Sequence, residues 1–118
     1  MGRALAAAVS LVVAGTLVLA LAAGAGGASR KTVRLGDNYY TPPKLTVSKG
    51  TTIVWKWPSD TGDTHDVTLG KRPKGVKKFQ SELASIDYSY KRTLKVPGRY
   101  YIYCSLHDDM RQTITVKR

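Results

Sequence analysis

From residue 32 onward the chain is a succession of short runs in which apolar and polar side chains alternate or apolar ones cluster. The runs are 32–35, 44–47, 51–57, 66–69, 90–96, 99–104 and 112–116. They are rich in Val, Ile, Thr, Tyr and Trp, the residues that suit a pleated, half-buried surface. Turn signals separate them, among them Pro42-Pro43, Lys49-Gly50, Asp60-Thr61-Gly62-Asp63 and Pro97-Gly98. Strands at this spacing predict an all-β sandwich. The spacing predicts one short helical turn, over 81–86. Beyond the first 28 residues no long amphipathic helix, internal repeat or low-complexity segment is visible.

Because successive side chains of a strand point to opposite sides, two of the runs declare their core face. Ile53, Trp55 and Trp57 share one, and Tyr100, Ile102 and Cys104 share another. The Cys104 thiol should therefore emerge from the core side at the end of its strand.

The N-terminus has a different composition. After Arg3 no charge appears until Arg30, and the stretch 4–28 is mostly Ala, Leu, Val and Gly. One basic residue, an apolar run and the small-residue site Ala23-Gly24-Ala25 read as a secretory signal. The run is also close to the ~20 residues that span a bilayer, so an uncleaved membrane anchor is the alternative. Either way the rest of the chain is exported, to the periplasm, the cell surface or the medium. No Cys follows the run to carry a lipid, and no Arg-Arg pair precedes it, which favours the general secretory route. Residues 29–118 suffice for one domain with one modest core and leave no room for a second.

Beyond residue 28 the chain has two His, one Cys and one Met. Three of the four fall in Cys104-Ser105-Leu106-His107-Asp108-Asp109-Met110, and His65 lies 39 residues upstream of Cys104. Two imidazoles and a thiolate in a plane with a weak axial thioether form the ligand set of a mononuclear copper electron-transfer centre. Singly, such residues are more often buried filler or surface groups; their concentration in one short segment after a strand is what carries the reading. Structural zinc sites rarely use a thioether and show paired ligand spacings absent here. A dinuclear copper centre would need a second Cys, and a Cys-His nucleophile would need an orienting third residue. With every ligand position taken by protein, an enzyme is not expected. An exported copper-handling protein could use the same four ligands. Export also makes metal ligation a reason for an unpaired thiol in an oxidising compartment.

At this point the chain resembles the cupredoxins, the blue copper proteins, and among them the plastocyanin and amicyanin type. The resemblance rests on Asp37-Asn38-Tyr39-Tyr40-Thr41-Pro42, on residues 45–55, on Thr64-His65-Asp66-Val67, on residues 97–104 and on the ligand segment. The Cys-x2-His-x2-Met spacing is similar to that of amicyanins and shorter than the Cys-x2-His-x4-Met of plastocyanins and pseudoazurins. The resemblance implies a Greek-key β-sandwich with one copper at one end, and one-electron transfer between redox partners. It implies that His65, Cys104, His107 and Met110 are the ligands and that His107 is the partly exposed one.

The chain also departs from the type. Leu106, Asp108 and Asp109 stand where many relatives have Pro before the loop His and Pro-Gly before the Met. Carboxylates beside a metal favour its higher charge state, so Asp108 and Asp109 are expected to lower the reduction potential. Asp66 stands where an Asn is usual; it can accept but not donate a hydrogen bond, which bears on whether it holds Ser105 and the Cys104 segment.

Charge adds a statement about partners. The formal net charge is +11, and all but Arg3's share belongs to residues 29–118. Lys71, Arg72, Lys74, Lys77 and Lys78 form the densest basic patch, with no acid among them. Five of the eight acids, Asp60, Asp63, Asp66, Asp108 and Asp109, lie within five residues of a candidate His ligand. The molecule should be dipolar: a basic flank that attracts an acidic redox partner, anionic lipid or a negatively charged wall polymer, and a copper end that meets its partner through a small neutral patch at Leu106 and His107. Nucleic acid is not a partner expected outside the cell.

Overall fold

The computed structural model describes residues 29–118 and, before them, only Gly2, Ser10, Ala14 and Gly15. The expected signal or anchor segment, 1–28, thus lies outside the described residues apart from those four. Among the described residues no helix is long and apolar enough to cross a membrane.

Eight strands make two sheets packed face to face. One holds β1 (Arg30–Gly36), β2 (Tyr39–Thr41), β4 (Thr51–Trp57) and β6 (Tyr88–Leu94) in the order β2-β1-β4-β6. The other holds β3 (Lys44–Ser48), β5 (Thr68–Leu69), β7 (Gly98–Cys104) and β8 (His107–Lys117) in the order β3-β8-β7-β5. The pairs β1·β4 and β3·β8 are parallel and the others antiparallel.

The alternating faces meet as their periodicity requires. Ile53, Trp55 and Trp57 are buried from one side; Tyr100, Ile102 and Cys104 are buried from the other, with Met110, Ile114 and Val116 of β8 beside them. One polar group crosses this apolar layer. Trp55 Nε1 donates to Gln112 Oε1 at 2.9 Å, and Gln112 Nε2 donates to the Pro42 carbonyl at 2.7 Å. The buried amide therefore links β4, β8 and the turn before β3, with donor and acceptor both satisfied.

Elsewhere, partners distant in sequence overrule the local pattern. Residues 81–86 do not form a helical turn. They follow an extended path beside 65–69: His65 and Ala84 exchange backbone bonds at 2.9 and 3.0 Å, and Ser81 N–H donates to the Val67 carbonyl at 2.9 Å. The run 66–69 is a ladder strand only over Thr68–Leu69. β2, which the pattern did not single out, pairs with the end of β1, and the Tyr39 ring lies so close over Gly36 that a Cβ there would come within 2.1 Å of it. β6 begins two residues before the expected run, where Tyr88 pairs with Trp57 and meets its ring edge-on at 4.8 Å. β8 begins at His107, so the expected ligand loop is a tight turn at Ser105 and Leu106 leading directly into a strand.

Replacing Gln112 by Leu keeps the volume and strands the buried Trp55 N–H and Pro42 carbonyl. It is expected to destabilise the fold by about 1–3 kcal/mol, read from chemical denaturation. An unshifted midpoint would show that the bridge contributes nothing.

Candidate metal centre

His65 is placed by its backbone. After β4, Trp57 Nε1 donates to the His65 carbonyl at 3.2 Å, and the buried Tyr40 hydroxyl donates to the Asp66 carbonyl at 2.6 Å. With the two bonds to Ala84, core aromatics on one side and the 81–86 segment on the other fix this residue before its side chain does anything. Burial pushes the Tyr40 hydroxyl's pKa far above its usual value, with the nearby Cys104 and Asp66 adding to the rise. Tyr40 therefore remains a donor.

Cys104 ends β7 on the core side, and His107 opens β8. The β7·β8 register runs unbroken from Gly98↔Val116 to Tyr103↔Arg111, then jumps so that Cys104 faces His107. An unshifted register would set Cys104 opposite Met110. The shift thus gives Cys104 a histidine as its actual partner and leaves Met110, wholly buried, at the neighbouring position of the same core cluster.

Three donor atoms converge. His65 Nδ1 lies 3.2 Å from His107 Nδ1, and Cys104 Sγ lies 4.0 Å and 3.5 Å from those nitrogens. One ligand atom from each of the three side chains lies within 4.8 Å of those of the other two. The outward nitrogens are occupied. His65 Nε2 lies 3.3 Å from the Thr61 carbonyl and 3.7 Å from Asp37 Oδ1; His107 Nε2 lies 3.2 Å from Asp63 Oδ2. Carbonyls and carboxylates only accept, so both Nε2 atoms carry the proton and both Nδ1 atoms present a lone pair inward. Two lone pairs and a sulfur so placed can converge on one soft cation. Two imidazoles with one thiolate are the softness and number that copper takes in electron-transfer sites, and the residues fit that metal.

The carboxylates around the site divide by role. Asp63 is held below the usual carboxylate range, first by the Thr64 N–H at 2.8 Å and then by His107. Asp66 is fully buried and accepts four hydrogen bonds: from Ser105 N at 2.8 Å, Ser105 Oγ at 2.5 Å, Thr68 Oγ1 at 3.2 Å and Gln80 Nε2 at 3.1 Å. It ties the residue after His65 to the residue after Cys104. An Asn could accept at only one of its two terminal atoms, whereas Ser105 bonds both Asp66 oxygens. Asp108 and Asp109 are exposed, and among the described residues their carboxylates make no hydrogen bond or ion pair. The carboxylates in contact with the imidazoles are instead Asp63 and Asp37.

Leu106 is 52% exposed at the tip of the turn, beside a His107 side chain that is 22% exposed. On the flank Lys71, Lys74, Lys77 and Lys78 are exposed. Arg72 is not free: its Nε donates to the Val76 carbonyl at 2.7 Å and its Nη1 to the Gly70 carbonyl at 3.2 Å. Site supports that the sequence patterns do not connect with the ligands are Thr61, Asp37, Tyr40, Trp57, Thr68 and Gln80. Only the excess of Asp near His65 hinted at such support, through Asp63.

Comparison with known proteins agrees with this geometry. Residues 28–117 match the model of the copper binding proteins of the plastocyanin/azurin family. The chain is 29% identical over 80 residues to amicyanin from Paracoccus versutus, covering 66% of this chain and 58% of that one. It is 34% identical over 109 residues to chloroplastic plastocyanin from Oryza sativa subsp. indica, covering 80% and 68% respectively. The chain thus spans somewhat more than half the length of the amicyanin. A solved reduced Cu(I) form of an amicyanin variant superposes with a TM-score of 0.64 at 24% identity, over 77% of this chain and 83% of that one, and shows the same two-sheet fold. With the family model covering nearly all of the described sandwich and the His-Cys-His cluster at one end of it, the chain belongs to the plastocyanin/azurin family of copper-binding proteins.

Proposed function

We propose that this protein is a non-enzymatic one-electron carrier built on a single type 1 copper centre, working between exported or membrane redox partners. The observation that carries the reading is the convergence of two bare Nδ1 atoms and a thiol whose positions are fixed by bonds elsewhere in the fold. Copper bound there supplies one-electron redox chemistry with a strong thiolate-to-metal absorption. His65, Cys104 and His107 would hold it, and Met110, buried in the same core cluster as Cys104, would be the weak fourth ligand. The strand order supports a Greek-key winding, and the uncharged run 4–28 supports export with residues 29–118 as the functional domain.

The protein's part is rigidity and exclusion. His65, Cys104 and Met110 are buried, and of the four candidate ligands His107 alone is partly exposed. The Asp66 brace and the Nε2 bonds to Thr61 and Asp63 hold the ligands in place whatever the metal's charge, which keeps rearrangement on electron transfer small. Electrons enter and leave through the exposed His107 edge, with Leu106 as the apolar contact. Lys71, Lys74, Lys77 and Lys78 draw in a redox partner with an acidic docking surface.

One equivalent of Cu(II) added to the metal-free chain is expected to give an intense visible band that a reductant bleaches and an oxidant restores. Cys104→Ala should abolish it. Tight binding without reversible colour would point to copper handling. Asp66→Ala should weaken copper retention by about 10–100-fold, measured by competition with a chelator; unchanged retention would remove Asp66 from the site's support. Association with the physiological partner should slow steeply as salt rises, and a salt-independent rate in stopped-flow would dismiss the role of the basic flank.

A further inference from the structure

The end of the sandwich farthest from the metal centre is made wholly of strand termini that carry cations. Arg30 opens β1, Lys49 lies in the β3–β4 turn, Lys95 follows β6, Lys117 ends β8 and Arg118 succeeds it. Backbone bonds gather them into one surface: Lys49 N–H donates to the Lys117 carbonyl at 3.1 Å, Gly50 N–H to the Leu94 carbonyl at 2.8 Å, and Thr52 N–H to the Ser29 carbonyl at 2.9 Å. Lys31 adds a further charge one residue into β1, and all six of these side chains are exposed. None of them has an acidic partner; among the described residues the one Lys or Arg ion pair is Arg34 with Asp60.

The acids are all elsewhere. Asp37 lies in the β1–β2 turn; Asp60, Asp63 and Asp66 follow β4. Glu82 and Asp87 precede β6, and Asp108 and Asp109 open β8. By the register of the sheets those are the positions at or toward the opposite end. The cationic pole is therefore uninterrupted.

Two further features narrow its partner. Val96, 37% exposed, supplies an apolar contact on the same pole. The uncharged run 4–28 joins the domain immediately before Ser29, whose carbonyl is part of this surface, with no polar spacer between. A broad cationic surface, continued by Lys77 and Lys78 beside Lys95 and Val96 and adjoining the point where an apolar run attaches, matches a bilayer with anionic headgroups.

We infer that this pole is a membrane-docking surface that rests on anionic lipid headgroups and turns the metal centre away from the bilayer. The seven-residue β7 runs from Gly98 at the pole to Cys104 at the site, a distance of about 20 Å at the rise of a strand. On the carrier reading, which this orientation deepens, electrons are exchanged with partners that stand out from the membrane and not with molecules dissolved in its core.

The test uses the full chain in vesicles of phosphatidylcholine, with or without phosphatidylserine, and follows acetylation of each lysine by mass spectrometry. Lys31, Lys49, Lys95 and Lys117 should react about fivefold more slowly when phosphatidylserine is present, the factor expected for one headgroup contact, and the difference should vanish at high salt. Lys56, exposed toward the end of β4 away from this pole, should react alike in both. Equal rates at the pole in the two lipids overturn the proposal, as does slowing at Lys56 in its place. The triple variant Lys49→Gln, Lys95→Gln, Lys117→Gln, altered only at exposed positions, should lose the slowing at Lys31 and keep the copper colour. Persistent slowing at Lys31 in that variant also overturns the proposal. A parent chain that never turns blue but shows the footprint would refute the carrier and leave the docking surface standing.

Discussion

A carboxylate taken out of water without a counter-ion persists only where donors replace its hydration. Asp66 is such a group, and the arrangement of the metal end follows from how its four donors are supplied. Two come from Ser105, one from Thr68 and one from Gln80. Satisfying this one side chain brings together the segment after β4, the end of β7, the short β5 and the 79–84 stretch. The ligands His65 and Cys104 are the immediate neighbours of the residues so joined. Their separation is thus set by a hydrogen-bond requirement that exists before any metal arrives.

A second constraint acts from the core. Trp57 and Tyr40, both buried, each spend their one polar hydrogen on a backbone carbonyl of the His65–Asp66 pair. The aromatic layer that holds the sheets together is in this way also the floor of the site. The His65 ring is then closed from outside by Thr61, and the His107 ring by Asp63. Packing, backbone pairing and imidazole tautomer reinforce one another, which is the consistency across levels that marks a well-determined site.

What is local in the chain is legible in its sequence. The strand at 51–57 and the inward faces of Trp55 and Cys104 follow from a period of two. His65, Cys104 and His107 stand out because the domain has so few residues able to bind a soft metal. What depends on distant partners is not legible. Residues 81–86 carry a local pattern that suits a helical turn, yet the unpaired backbone of His65 and Val67 outweighs it. β2 exists because β1 offers an open edge and Gly36 lets Tyr39 lie against it. Thr61 acts through its carbonyl, which no side-chain pattern reveals. Asp108 and Asp109, next to His107 in sequence, are exposed, while Asp63, 44 residues before His107, reaches its ring, a contact that adjacency in sequence does not reveal.

The register jump between β7 and β8 has a consequence for how the ligands are set. From Tyr103↔Arg111 onward the ladder is fixed by the core, and the whole offset is absorbed in the turn and the three residues 108–110. The length of that stretch sets how the second imidazole meets the sulfur, while the pairs from Tyr103↔Arg111 onward keep Gln112, Ile114 and Val116 in register. The approach of His107 to Cys104 is thus set in a short stretch outside the regular ladder, and Met110 at the end of that stretch ties it back into the core.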